Sequence, residues 1–203
     1  MSAGEIRALA RSLLELCKAR KLTVATAESC TGGLVAGALT DIAGSSAVVM
    51  SGFVTYSNDA KHSLLGVKSE TLETFGAVSK ETAAAMAAGS LRRSKTDLTV
   101  SITGIAGPGG ATPGQPVGLV HFAAAARDGR AIHREKRFGA VGRSVVRQRS
   151  VIEALKMLME LARGPKPAKA PLKQTATRGA RSRQRIARKP RQGAAPRRRP
   201  SRT

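Results

Sequence analysis

The chain has 203 residues and a formal net charge of +22, from 35 Lys and Arg against 13 Asp and Glu. Fourteen of the basic residues and no acidic one fall in residues 164–203, where large apolar side chains are almost absent. Such a composition cannot bury enough apolar surface to offset its ordering entropy, so a disordered basic tail is expected over 164–203, after a folded domain over 1–163.

Two Cys and three His exclude a disulfide framework and give no metal-site spacing, so no metal is expected. No apolar run approaches the roughly 18 residues that cross a bilayer. The opening MSAGEIRALARS lacks the charged-then-apolar order of a signal peptide. These features predict a cytoplasmic protein without a membrane partner.

Residues 4–20 repeat Ile6, Leu9, Leu13, Leu16 and Cys17 at helical spacing, so a helix is expected with Cys17 as a buried, inert thiol. LTVATAES (22–29) reads as a buried strand, and Thr31-Gly32-Gly33 opens a helix over LVAGALTDIA. Gly44-Ser45-Ser46 breaks that helix before a second strand, AVVMSGFVTYS (47–57). Asn58 or Asp59 is the expected cap of the helix that carries Lys61 and Leu64. Ser79 should cap a helix over 79–93, and DLTVSITG (97–104) is the third strand, followed by a loop rich in Gly and Pro. VGLVHFAAAA and AIHREKRFG alternate as a hairpin across Arg127-Asp128-Gly129-Arg130. A last helix is expected over 143–161. Strands alternating with helices, plus one hairpin, predict an α/β domain with a mixed sheet and helices on both faces.

Three loops follow predicted strand ends, where open α/β sheets place their ligands. In the first, Glu28-Ser29-Cys30-Thr31-Gly32-Gly33, the amides of Thr31, Gly32 and Gly33 suit a phosphate or an oxyanion; a capped helix start with packing glycines would look the same. The second region supplies Ser46, Tyr56 and Lys61. His62, His121 and His133 give little material for a Ser-His-Asp set, whereas a desolvated lysine can serve as base. The third loop runs through Thr103, Gly104 and Gly107, with glycines that permit close approach to a ligand; a bare surface loop would read similarly. It is neither a Walker A loop nor a dinucleotide fingerprint, since no Gly-Lys-Ser/Thr and no immediate helix follow. Arg143 opens the last helix, where an arginine suits a phosphate or carboxylate and a solvated first turn is the plain alternative.

In combination, TAESCTGGLVAGALTDIAGSSAVVMSGFVTYSNDAK, GAVS and SITGIAGPGG…PVGLVHFA resemble the CinA C-terminal domain family, over residues 5–161. Stand-alone members of that family are nicotinamide-nucleotide amidases. The resemblance implies a three-layer α/β/α sandwich, a homodimer, no cofactor, and hydrolysis of the nicotinamide mononucleotide carboxamide to the acid and ammonia, in pyridine nucleotide recycling. It implies a Ser/Lys mechanism with Lys61 as base and Tyr56, Thr103 and Arg143 in support. Ser29 and Ser46 both match family serines, and the sequence leaves open which attacks. Cys30 beside Ser29 is a further thiol candidate, with its side chain expected to point away. The alternative is a non-catalytic nucleotide-binding module linked to competence or DNA damage. The basic tail has no counterpart in the family and offers nonspecific, phosphate-driven contact with nucleic acid.

Overall fold

The computed structural model describes residues 3–165. The basic tail expected over 164–203 therefore lies outside the described residues from position 166 onward. The chain begins with helix α1 (Ala3–Arg20), strand β1 (Val24–Glu28) and helix α2 (Leu34–Thr40). A 3-10 turn (Ser45–Ala47) leads into β2 (Val49–Val54), followed by α3 (Asn58–Leu65), α4 (Ser69–Phe75) and α5 (Lys80–Ser94). Then come β3 (Leu98–Gly104), β4 (Leu119–Ala126), β5 (Ala131–Arg137) and α6 (Arg143–Arg163).

The five strands form one mixed sheet in the order β2-β1-β3-β4-β5. β2, β1 and β3 run parallel, and β4 and β5 add antiparallel as the hairpin read from the sequence. Helices α1, α2 and α6 cover one face and α5, with α3 and α4 against it, covers the other, which makes the three-layer sandwich. Alternation along β3 sorts the two faces. Val100 and Ile102 join the large apolar core with Leu13, Leu39, Leu155 and Leu158. On the opposite face the Ser101 hydroxyl donates to the Ala83 carbonyl at 2.6 Å and Thr99 to Ser90 at 2.8 Å. Small residues let α5 come close to its neighbours: a Cβ on Gly89 would stand 2.1 Å from the Leu65 carbonyl oxygen.

Local chemistry accounts for most boundaries. The Ser79 hydroxyl caps α5 by accepting from the Thr82 amide at 3.1 Å. The cap of α3 is Ser57 rather than Asn58 or Asp59, its hydroxyl accepting from the Ala60 amide at 3.1 Å. Helix α4 was not legible: it starts without a side-chain cap and buries none of its residues, so it carries no periodic apolar signal. Cys17 is fully buried in the core, and burial pushes its thiol up to about 12. No helix among the described residues is long and apolar enough to cross a membrane.

The consequence for function is geometric. Three parallel strands end at Glu28, Val54 and Gly104, so the three loops singled out in the sequence leave the same edge of the sheet.

Candidate active site

Ser29 follows directly on β1, whose five residues are all buried, and its amide donates to the Ile102 carbonyl at 2.9 Å. Lys61 enters from the second turn of α3. The chain turns back between β2 and this helix, and that return brings its side chain under the end of β1. Lys61 is 1% exposed and Ser29 8%. Lys61 Nζ lies 3.1 Å from Ser29 Oγ, 2.9 Å from the Thr55 carbonyl oxygen and 3.3 Å from that of Tyr56.

No carboxylate pairs with this lysine among the described residues. Burial therefore lowers its pKa from the ordinary lysine value. In the neutral amine two N–H groups can stay on the Thr55 and Tyr56 carbonyls. The lone pair then faces Ser29, whose hydroxyl becomes the donor. That is the arrangement a general base needs.

Cys30, next to the serine, is buried, and its burial pushes the thiol up to about 12, with the Glu28 carboxylate adding to the rise. Such a thiol holds almost no thiolate at neutral pH.

The start of α2 corrects one expectation. The Glu28 carboxylate is fully buried beneath it and accepts from the Gly33, Val35 and Ala36 amides at 3.0, 3.0 and 2.9 Å, and from the Thr26 hydroxyl at 3.1 Å. The Gly32 amide donates to the Ser29 carbonyl. Gly32 and Gly33 thus spend their N–H groups inside the protein, and the helix end expected to face a phosphate is occupied by the chain's own carboxylate. The amides of Cys30 and Thr31 have no acceptor among the described residues.

Tyr56 and Arg143 sit at the open side of the same edge. Arg143 Nη2 donates to the Tyr56 hydroxyl at 3.1 Å and Nη1 to the Gly107 carbonyl at 3.1 Å. Tyr56 is 62% exposed, so this pair stands in solvent above the buried Ser29 and Lys61. Gly107 has a left-handed φ of 81°, and a Cβ there would lie 2.7 Å from the Val117 side chain.

Two further expectations change role. Thr103 is buried and its hydroxyl donates to the Ala77 carbonyl at 2.6 Å, which ties the strand end to the segment before α5. Gly104 is needed by the sheet: a Cβ would stand 2.7 Å from the Leu119 carbonyl oxygen. Ser46 does not join the others. It is exposed in the 3-10 turn that precedes β2, at the opposite end of that strand from Tyr56, because a parallel strand carries its first residue to the far edge of the sheet. Of the residues singled out beforehand, the fold brings Ser29, Thr31, Tyr56, Lys61, Gly107 and Arg143 to one edge.

Glu28 and Arg147 were not assigned roles from the sequence. The signal for Glu28 was its place just before a Ser-x-Thr-Gly-Gly helix start, where a carboxylate meets free amides. Among the described residues no group of three or more His, Cys, Asp or Glu is placed to hold a metal ion.

A family model described as the CinA C-terminal domain matches residues 6–162. The chain belongs to the CinA C-terminal domain family. Among its relatives, the protein named nicotinamide-nucleotide amidohydrolase PncC of Escherichia coli K12 is 47% identical over 160 residues, covering 79% of this chain and 96% of that protein. A CinA-like protein of Mycolicibacterium gilvum is 54% identical over 142 residues, covering 70% of this chain but only 33% of the longer protein. The chain thus spans about a third of that relative and nearly all of the E. coli one. Two CinA-family crystal structures share the fold. The competence/damage inducible protein CihA of Agrobacterium tumefaciens superposes with a TM-score of 0.76 at 57% identity, over 77% of this chain and 95% of that one. A CinA superfamily protein of E. coli gives 0.74 at 35% identity, over 79% and 93%.

Proposed function

We propose that this chain hydrolyses the carboxamide of nicotinamide mononucleotide to nicotinic acid mononucleotide and ammonia, with Ser29 as nucleophile and Lys61 as general base. The observation that carries the reading is the buried 3.1 Å contact between Lys61 Nζ and Ser29 Oγ, with the remaining amine hydrogens held by two carbonyls. The substrate comes from the E. coli relative, which this chain matches over nearly its whole length.

The chemistry balances with these groups. Ser29 Oγ attacks the carboxamide carbon while Lys61 takes the hydroxyl proton. The tetrahedral oxyanion meets the Cys30 and Thr31 amides, and each such donor is typically worth about 3–4 kcal/mol in the transition state. The C–N bond then breaks, and the Lys61 ammonium returns its proton to the departing nitrogen as ammonia forms. Water attacks the acyl-serine, Lys61 again taking a proton, and the carboxylic acid leaves with Ser29 restored. Arg143 and Tyr56, exposed above the pair, meet the ribose phosphate.

A binding module without turnover accounts poorly for Lys61. Keeping an ammonium out of water without a counter-charge is costly, and binding alone gains nothing from it. The deciding experiment is ammonia release from nicotinamide mononucleotide, compared with free nicotinamide and the intact dinucleotide. Turnover of the mononucleotide well above the other two is the expected result. Binding without ammonia release would favour the non-catalytic module.

A further inference from the structure

We infer that Arg147 is a positioning residue that holds the Ser29 loop in register with Lys61; this rests on the Ser/Lys reading above. Arg143 and Arg147 are one turn apart on α6 and so share a helix face. Arg143 reaches Tyr56 and the Gly107 carbonyl, at the ends of the second and third loops. Arg147 completes the set: its Nη2 donates to the Thr31 carbonyl at 2.8 Å, in the first loop. Two arginines from one helix thereby pin all three loops that leave the sheet edge.

The Ser29 loop needs such a pin. Its ends are fixed by Ser29 on Ile102 and by Gly33 on Glu28, but in between the Thr31 carbonyl has only a 3.3 Å bond from the Leu34 amide. Arg147 is the one side chain from outside β1 and α2 that bonds the main chain of this loop among the described residues. It passes close to Gly32, whose φ of 59° is left-handed and whose Cβ would stand 3.4 Å from Arg147 Nη2.

Arg147 has no carboxylate partner among the described residues, and its Nε is buried with no acceptor. An unpaired buried N–H is costly and calls for a reason. Here the reason is the Thr31 carbonyl. The Thr31 carbonyl shares its peptide plane with the Gly32 amide, which donates to the Ser29 carbonyl, so fixing it closes the turn that carries the Cys30 and Thr31 amides and limits the rotation by which they could swing away from the oxyanion. The effect falls on the transition state, not on substrate binding. Arg147 also borders a groove of about 700 Å³ between α1, α2 and α6, floored by Ile6, Leu34 and Val151. A small cation can enter the space that a truncated Arg147 leaves.

The test uses the full chain carrying Arg147→Ala, assayed for nicotinamide mononucleotide hydrolysis. Losing the register should lower kcat roughly 100-fold, as misplacement by about an ångström does, with KM nearly unchanged. The acid limb of the pH profile should stay put, because the surroundings of Lys61 are intact. Millimolar methylguanidinium should restore part of the rate. A raised KM with kcat kept, or no change in either, would overturn the inference, as would a rate loss that tracks a lowered Tm and resists rescue. If Arg147→Ala does not fold, Arg147→Lys serves, with an intermediate rate expected. Arg149→Met, which removes a neighbouring α6 arginine stacked near Phe138, should leave the rate alone. A fluorophosphonate probe on Ser29, followed by mass spectrometry, separates the two readings. Slower labelling in Arg147→Ala supports the positioning role even where the wild type leaves the mononucleotide intact. Equal labelling sinks it.

Discussion

Lys61 Nζ stands 3.1 Å from Ser29 Oγ, although 32 positions separate the two residues in the chain. The contact closes a ring. The Thr55 amide donates to the Glu28 carbonyl at 2.8 Å, the Thr55 carbonyl accepts from Lys61, and Lys61 returns to Ser29, the residue after Glu28. The end of β1 thus leads into Ser29, and the residues after β2 hold the Lys61 side chain that reaches it from α3.

The first prediction follows from the state of that lysine. Lys61→Met should lower kcat by roughly two to four orders of magnitude, the range for a lost general base. Lys61→Arg should not restore it, since a guanidinium stays protonated. The pH profile has a definite sign. Only the neutral amine accepts the serine proton, and burial moves the Lys61 pKa below the ordinary 10.5. The rate should therefore rise with pH through that lowered value and level off before an exposed lysine would titrate. In the same window the unfolded chain binds the extra proton, so stability should rise with pH as well. A kcat/KM profile whose acid limb sits at the exposed-lysine range would contradict the assignment.

The second prediction separates the candidate nucleophiles. Ser29→Ala should remove nearly all turnover and combine non-additively with Lys61→Met, because the two act as a unit. Ser46→Ala should keep most of the rate, since that hydroxyl is exposed at the far end of β2. Cys30→Ser should remain active, its buried thiol being held near 12. Steady-state kinetics on the four variants checks this directly. An inactive Cys30→Ser beside an active Ser29→Ala would point to a thiol enzyme.

What the sequence made legible was whatever is local. Alternation and caps placed ten of the eleven helices and strands to within a few residues, and strand ends identified the loops that meet at one edge. Helix α4 escaped because it buries nothing. The site was legible as residue types, not as contacts. The same serine-glycine pattern fits an open anion site or a filled one, and only the path of the Glu28 side chain shows it to be filled. Gly104 read as room for a ligand, yet the backbone that comes close is β4, a partner more than a dozen residues away. Ser29 and Ser46 were equal in sequence, and strand direction, a property of the assembled sheet, separates them.

The third prediction concerns the exposed pair. Arg143→Ala should raise KM for the mononucleotide with less effect on kcat, since a phosphate contact is made equally in ground and transition states. Tyr56→Phe removes only the hydroxyl that Arg143 donates to at 3.1 Å and should cost less. Isothermal titration with nicotinic acid mononucleotide should show the same order. Unchanged affinity in Arg143→Ala would move the phosphate site elsewhere.

The fourth prediction concerns residues 166–203. Every group assigned to the site lies between Glu28 and Arg147, so removing this segment should leave ammonia release unchanged. It should also abolish any affinity for DNA or RNA, and in the full chain that affinity should fall steeply with salt, as phosphate-driven binding does. Salt-independent binding, or binding that survives the deletion, would count against a purely electrostatic contact.

The last prediction tests Glu28, which builds the site without facing the substrate. Its two carboxylate oxygens each accept two hydrogen bonds, one from Thr26 and Ala36, the other from Gly33 and Val35. Glu28→Gln keeps the volume but turns one oxygen into an NH2 group, which must face at least one backbone amide whichever way it is placed, since only the Thr26 hydroxyl can turn round to accept. At least one amide is left unpaired in a fully buried position and the remaining bonds lose their charged acceptor, so the cost should be on the order of 3 kcal/mol. For a domain of this size that is a fall in Tm of roughly 6–12 °C. Glu28→Asp keeps the charge but shortens the reach, and should lose stability while keeping more of the rate. The start of α2 should open first, so amide exchange at Gly33, Val35 and Ala36 should speed up more than at β3 or α6. Unaltered exchange at those three amides, with Tm intact, would show that α2 holds the Ser29 loop without the carboxylate.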